Sequence, residues 1–324
     1  MIVTPALADA NTGNWQTAKR WAHMLGAAYR VRLAQHWAGG DEALMIALHA
    51  RRSAASVQAW HAVRAGSGVR RPLLLVLTGT DLYRDIAGDA SAQRSLALAD
   101  RLVVLNPLGP RQLPPGLRPH CEVVLQSCSA RAPLVKTHRH LRVLMVGHLR
   151  AEKDPLTYLQ AAEHLAGRSD IRFDHVGAAL EPALGEAAQA LMARHPRYRW
   201  LGALPHERVR RLIQAAHALV HPSRMEGGAH VVIEALRSGT PVLASRIDGN
   251  LGLLGEGYAG CFEPGDAAGL AALVERARDD AAMLGALQRQ GAERAPLFSP
   301  EAEAATLHHI VHRLLQPAPT GAPA

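Results

Sequence analysis

Two glutamates, Glu226 and Glu234, stand eight positions apart in the stretch His221-Pro222-Ser223-Arg224-Met225-Glu226-Gly227-Gly228-Ala229-His230-Val231-Val232-Ile233-Glu234-Ala235. An apolar run at 218–221 leads in, and helical residues surround the second glutamate. Gly239-Thr240-Pro241 then punctuates before Val242-Leu243-Ala244. The order reads as strand, small-residue loop, helix, strand: a βαβ unit with its loop at the carboxyl edge of a sheet. Open α/β sheets bind ligands at that edge. Two carboxylates there can accept hydrogen bonds from hydroxyls. The amides around Gly227 and Gly228, at a helix start, can hold an anion. A ligand that combines a polyol with a phosphate needs both.

The rest of the chain keeps this rhythm. Strands are predicted at 2–4, 31–34, 44–48, 73–77, 102–105 and 123–125, with an amphipathic helix over 15–25. The run Leu73-Leu74-Leu75-Val76-Leu77 is apolar throughout, as a parallel strand covered on both faces requires. A polar, basic segment, Lys136-Thr137-His138-Arg139-His140, precedes a fresh strand at 141–146 and marks a domain boundary. Beyond it, strands at 172–176, 199–201 and 218–221 alternate with helices over 186–194 and 207–216. Helices over 267–278 and 301–315 close the chain. The tail, 317–324, is rich in Pro, Ala and Gly and reads as disordered. The expected domains are 1–137 and 138–300, with a last helix at 301–316 packing back. A chain of 324 residues accommodates two such domains, and a cleft between them is a usual place for a ligand.

Composition excludes several classes. Hydrophobic content of 48% and charged content of 20% fit an ordinary soluble protein. Lys and Arg number 36 against 28 Asp and Glu, a balance of +8. That excess reads as a solvated basic surface, or as attraction for phosphates or an anionic membrane face. Aromatics are 4%, too few for a nucleic-acid stacking platform, so no nucleic-acid partner is expected. Cys121, Cys128 and Cys261 form no CxxC, against a disulfide framework or zinc knuckle and for a reducing cytosol. Met1-Ile2-Val3-Thr4-Pro5 lacks the features of a signal peptide, and no apolar stretch reaches spanning length. A cytoplasmic protein without membrane association is expected.

Several anchors stand in a fixed order: Gly13 after the first strand, Gly147-His148-Leu149-Arg150-Ala151-Glu152-Lys153 after the first strand of the second half, Leu201-Gly202 at a later strand end, then the Glu226/Glu234 unit. This order resembles the retaining GT-B glycosyltransferases, the class typified by sucrose-phosphate and glycogen synthases. The likeness is clear over about 141–266 and weaker before it. It implies an α/β GT-B fold: two Rossmann-like domains with parallel sheets facing across an interdomain cleft. Residues 1–137 would take the acceptor and 138–300 the nucleotide sugar. Glu226 would accept hydroxyls of the donor sugar, and Glu234 those of the ribose. Amides of Gly227, Gly228, Ala229 and His230 would face the sugar and distal phosphate. Lys153 would neutralise the departing diphosphate, whose developing charge fixed cations stabilise. Backbone near Leu201 and Gly202 would meet the base. No Asp-x-Asp occurs, so neither a metal nor another cofactor is implied.

This chain departs from that pattern at three places. The family has Arg directly after the glycine where His148 stands; Arg150, two positions on, is preferred for a bidentate phosphate grip, with His148 the weaker candidate. The family's N-domain histidine is replaced in Leu77-Thr78-Gly79-Thr80-Asp81 by Thr78 or Thr80. The double glycine of the first loop is reduced to Gly13-Asn14, preceded by Thr12. A closer resemblance covers most of the chain. The stretches 5–15, 77–83, 147–155 and Arg246-Ile247-Asp248-Gly249-Asn250 are similar to the selenosugar synthases of bacterial selenoneine biosynthesis. That resemblance implies transfer of a hexosyl group from UDP-glucose or UDP-N-acetylglucosamine to selenophosphate, giving a 1-selenosugar. A small anionic acceptor suits Asn14, Lys19, Arg20, Thr80 and Arg150. The alternatives are a hydroxyl acceptor on a glycan or lipid headgroup, and a non-catalytic nucleotide-sugar binder or isomerase.

Other features carry less. His308 and His312 lie one helical turn apart, a metal-capable spacing, but no third ligand accompanies them. Residues 255–260 fit GxGxxG, yet a strand follows instead of a helix, which argues against a dinucleotide site. His49 ends a strand and either faces the ligand or is a satisfied structural histidine. Cys121 and Cys128 read as packing residues, and nothing beyond position links Cys128 to selenium.

Overall fold

A computed structural model of the chain describes residues 1–7, 13–67 and 69–316. Thr12 of the expected acceptor loop and the tail 317–324 lie outside the described residues. The chain forms two compact units, Met1–Gln126 with Pro300–Ala324, and Ser127–Ser299.

In the first unit, six strands form a wholly parallel sheet: β1 (Ile2–Val3), β2 (Leu33–Ala34), β3 (Met45–Leu48), β4 (Leu73–Leu77), β5 (Arg101–Val104) and β6 (Cys121–Val123), in the order β2-β1-β3-β4-β5-β6. All five residues of β4 are buried because alternate side chains enter different cores. Leu73, Leu75 and Leu77 pack with Val57 and Trp60 of helix Ala54–Ser67 and with Leu96 of helix Ala90–Leu98. Leu74 and Val76 pack with Trp21 of helix Gly13–Leu25 and with Leu307, Ile310 and Val311 of the last helix, Pro300–Leu315. The last helix therefore completes the first sheet's second face. β2 is two residues long, shorter than the predicted 31–34, because its partner β1 stops before Pro5 and offers only two positions to pair. β6 lies earlier than the predicted 123–125 because its register pairs Leu102 with Cys121 and Val104 with Val123.

The second unit repeats the plan with β7 (Leu141–Val146), β8 (Ile171–Val176), β9 (Tyr198–Trp200), β10 (Ala218–His221), β11 (Val242–Ser245) and β12 (Cys261–Phe262), all parallel in the order β12-β11-β10-β7-β8-β9. The chain runs outward from β7 through β8 to β9, then returns to place β10 on the other side of β7. The loops after β7 and β10 thus flank the point where strand order reverses, where such sheets bind ligands. Helix His230–Leu236 stops at Gly239, whose φ of +66° is the left-handed turn that glycine takes without strain. The basic segment 136–140 lies inside this unit. His217 donates from Nε2 to the Thr137 carbonyl at 2.8 Å, and burial pushes the Lys136 ammonium down to about 8. Among the described residues, no helix is long and apolar enough to cross a membrane.

Candidate active site

The two loops at the strand-order reversal of the second unit are tied together. After β7 the chain makes a short turn, Ala151–Lys153, then takes a left-handed step at Asp154 (φ 46°) into helix Pro155–His164. The loop after β10 carries Arg224 and Glu226. Arg224 donates from Nε to Asp154 Oδ2 at 3.0 Å, and its backbone N–H donates to the Glu152 carbonyl at 3.0 Å. Lys153 Nζ donates to Glu226 Oε1 at 2.5 Å. His221 Nε2 stands 3.2 Å from the same oxygen, though too poorly aligned for a hydrogen bond. Burial pushes the Glu226 carboxyl up, but Lys153 and His221 outweigh it and hold the group well below the usual carboxylate range. Lys153 and Glu226, each predicted as a site residue, are therefore brought together as a part-buried ion pair.

Beside it, Arg150 is half-buried and its Nε is shielded from solvent without a hydrogen-bond partner. His148 is exposed, and its Nδ1 accepts from the Ala178 backbone N–H at 3.0 Å. Burial, then the charges of Arg150 and Lys153, push the His148 ring down, so it stays neutral beside two cations. An uncommitted guanidinium suits a phosphate better than a neutral ring with one nitrogen already engaged.

Glu234 lies in helix His230–Leu236 with 1% exposure. Three side chains converge on one of its oxygens. His206 Nε2 donates to Oε1 at 2.6 Å, His230 Nδ1 lies 3.3 Å away and Arg210 Nη1 3.8 Å away. Burial raises the Glu234 carboxyl, but His206 and His230 prevail and bring it to about 2. The same bond to Glu234, against burial, raises the His206 pKa. With Oε1 held on one side, Oε2 is left to accept from a ligand hydroxyl. Gly227, Gly228 and Ala229 lead directly into this helix, Ala229 being its N-cap. At Leu201 and Gly202, the Leu201 N–H donates to the His175 carbonyl and the Gly202 carbonyl accepts from Gly177. The Leu201 carbonyl and Gly202 N–H have no backbone partner among the described residues, leaving one acceptor and one donor for a base edge.

In the first unit, helix Gly13–Leu25 begins at Gly13 itself, with Asn14 half-buried behind it. A Cβ at Gly13 would meet nothing within 4 Å, so packing does not demand glycine there. The amides of Thr78 and Gly79 both donate to Asp81 Oδ1 at 2.9 Å, so that turn faces inward. Thr80 hydrogen-bonds His49 Nε2 at 3.1 Å. Arg20 does not stand free for an anion: it pairs with Glu303 of the last helix at 2.8 Å. His308 is hydrogen-bonded to the Met24 carbonyl, and no group of three or more metal-ligating side chains occurs among the described residues. Burial pushes the Cys128 thiol up, which keeps it protonated.

The family model described as "Glycosyl transferases group 1" matches residues 129–294, half of the chain. The chain belongs to that family. The group 1 match covers every second-unit residue discussed above except Cys128. A 2-deoxystreptamine glucosyltransferase of Streptomyces kanamyceticus is 34% identical over 151 residues, 46% of this chain and 39% of that protein. The chain thus spans well under two thirds of that relative. Among solved structures, sucrose-phosphate synthase of Thermosynechococcus elongatus superposes with a TM-score of 0.68 at 21% identity, over 84% of this chain and 73% of that one. Anabaena HepE in complex with UDP and glucose gives 0.69 at 17%, over 84% and 78%. Staphylococcus aureus TarM in complex with UDP gives 0.67 at 13%, over 85% and 55%. These likenesses establish the GT-B fold.

Sequence reasoning missed several residues of this candidate site. His221 and Arg224 lie inside the quoted motif, and Asp154 inside the stretch 147–155, but were given no role; His206 and Arg210 lie outside any motif and reach the site only through the fold. Gly249 is the one with a signal: a Cβ there would lie 2.0 Å from the Glu226 carbonyl oxygen, and it sits in the singled-out stretch 246–250. Helix Asp248–Leu254 can press against Glu226 only because that residue is glycine.

Proposed function

We propose that this group 1 glycosyltransferase moves a hexosyl group, glucose or N-acetylglucosamine, from a UDP-sugar to selenophosphate, giving a 1-selenosugar. The observation that carries the donor half is the Lys153–Glu226 pair, set at the strand-order reversal with Arg150 beside it. In this reading Glu226 accepts sugar hydroxyls and Glu234, through Oε2, accepts the ribose diol. Lys153 and Arg150 meet the diphosphate. As the bond between the anomeric carbon and the diphosphate oxygen breaks, its electron pair leaves with UDP, and these cations stabilise the charge. Selenium supplies the pair for the new carbon–selenium bond, and water then cleaves the selenium–phosphorus bond to release phosphate. The UDP in the HepE and TarM complexes supports uracil as the base. The acceptor rests on the resemblance of stretches 5–15, 77–83, 147–155 and 246–250 to selenosugar synthases.

A second reading is favoured by the 2-deoxystreptamine glucosyltransferase, whose name points to a hydroxyl acceptor on an aminocyclitol. Mass spectrometry of products from purified protein given UDP-glucose, UDP-N-acetylglucosamine and either selenophosphate or 2-deoxystreptamine separates the two. A selenium-containing hexose supports the first reading. UDP release with the aminocyclitol alone sinks it in favour of the second. UDP release that persists in both Lys153→Ala and Glu226→Ala removes the donor assignment altogether.

A further inference from the structure

The turn that follows β4 hides a directional chain of protons. His49, at the end of β3, has 2% exposure and a φ of +72°. His49 and Asp154 are the non-glycine residues with positive φ among the described residues. Strain of this kind persists where the surroundings over-determine a position, and it clusters at functional sites. The surroundings here fix the ring. The Arg52 backbone N–H donates to His49 Nδ1 at 3.3 Å, so Nδ1 carries no proton. Burial lowers the ring's proton affinity, outweighing the pull of Asp81, so the ring is neutral. Its one proton is then on Nε2, which faces Thr80 Oγ1 at 3.1 Å. Nε2 must donate and the threonine oxygen must accept. The hydroxyl's own proton is therefore directed elsewhere, and no side chain or carbonyl among the described residues takes it.

Neither nearby carboxylate takes it, although the buried Asp85 Oδ2, 3.9 Å from His49 Nε2, has no hydrogen-bond partner. Asp81 is enclosed by the amides of Thr78, Gly79 and Ala50. Asp85 is ion-paired with Arg51 at 2.9 Å and with Arg84 at 3.2 Å. Arg52 is exposed and close enough to act on the His49 ring, and it has no carboxylate partner among the described residues. Arg52 thus brings to that side one cation that no carboxylate there pairs with.

We infer that His49 is a positioning residue that turns the Thr80 hydroxyl proton outward, so that Thr80 binds an oxyanion of the acceptor. This rests on the proposed reading of the first unit as the acceptor side. It narrows the acceptor to one that presents a phosphate-like oxygen at Thr80. A free anion and a phosphate ester share that chemistry.

The test is a double-mutant cycle read with inorganic phosphate, titrated calorimetrically into UDP-saturated protein so that the diphosphate site is filled. Thr80→Val should weaken phosphate binding about ten-fold, the loss of one hydrogen bond to a charged group. His49→Asn keeps a residue type that tolerates positive φ but is too short to reach Thr80, and should weaken it about five-fold. In the Thr80→Val background the same change should add less than about two-fold, because coupled residues are not additive. Phosphate binding that is absent, or indifferent to Thr80→Val, overturns the inference, as does full additivity. If His49→Asn does not fold, Thr80→Val alone decides. Failure of UDP to bind counts against the donor reading instead, and phosphate titration of the free protein then still decides this one. Displacement by selenophosphate but not by glycerol 3-phosphate marks the source as a free anion; the reverse marks a headgroup ester.

Discussion

The ammonium of Lys153 sits 2.5 Å from the Glu226 carboxylate, and both side chains are largely buried. Without a ligand each is the other's partner, so neither charge is stranded. Lys153→Met should strand the carboxylate and cost about 3 kcal/mol in urea unfolding, as breaking buried pairs does. The double variant Lys153→Met/Glu226→Gln should recover most of that loss. Acceptor-dependent UDP release should fall about a hundred-fold in the single variant and stay low in the double one. Equal stability of wild type and Lys153→Met would show that the pair does not form.

The Glu234 cage should be visible in pH dependence. Glu234 has a folded pKa of about 2 against an ordinary 4.5. Its contribution to stability is present above pH 4.5 and is lost as pH falls towards 2. His206 is raised from an ordinary 6.5, so its contribution is present below 6.5 and is lost as pH rises through the higher folded value. Urea midpoints of His206→Ala should therefore approach those of wild type at alkaline pH and diverge from them below pH 6.5. Its KM for the UDP-sugar should rise about five-fold while kcat changes little, since positioning one oxygen affects binding more than chemistry. A kcat loss with unchanged KM would contradict this role.

Gly249→Ala tests whether the helix behind Glu226 sets its position. The added Cβ would fall 2.0 Å from the Glu226 carbonyl oxygen, so the loop must move. The expected cost is about 2 kcal/mol in stability, the usual range for overpacking, with UDP release lowered more than ten-fold because misplacement weakens oriented contacts. Gly13→Ala is the control. A Cβ there meets nothing, so its stability should stay within about 0.5 kcal/mol of wild type.

How much of this was legible in the sequence depended on distance along the chain. β4 was readable because burial on both faces leaves no polar position in 73–77. The Gly147 to Lys153 loop and the Glu226/Glu234 unit were readable because each is a compact motif at a strand end. Edge strands were not: the lengths of β2 and β6 are set by their partners, not by their own residues. His206 was unreadable as a site residue because an exposed histidine at a helix start acquires its role only when Glu234, 28 positions on, is folded against it. Asp154 lay within the singled-out stretch 147–155 without a readable role, because its value lies in holding Arg224 across the loop after β10.

Arg20 shows the same limit from the other direction, and supplies the last test. As a cation two turns from Gly13 it reads as an anion ligand, but its guanidinium grips Glu303 with contacts from Nε and Nη2 at 2.8–3.1 Å. Trp21 Nε1 donates to the same carboxylate at 2.7 Å, and Glu303 is 2% exposed. One carboxylate from the last helix thus accepts from two side chains of helix Gly13–Leu25, in the layer that covers Leu74 and Val76. Glu303→Ala leaves a guanidinium and an indole N–H without that partner, at a cost of about 3 kcal/mol. Arg20→Met removes the guanidinium from a buried carboxylate that the indole still reaches, and should cost about as much. The double variant should cost less than the sum of the two, since they share one interaction. In all three, phosphate affinity measured below the unfolding transition should equal that of wild type. A drop in phosphate affinity in Arg20→Met without loss of stability would return Arg20 to the ligand and give the last helix no hold on the first.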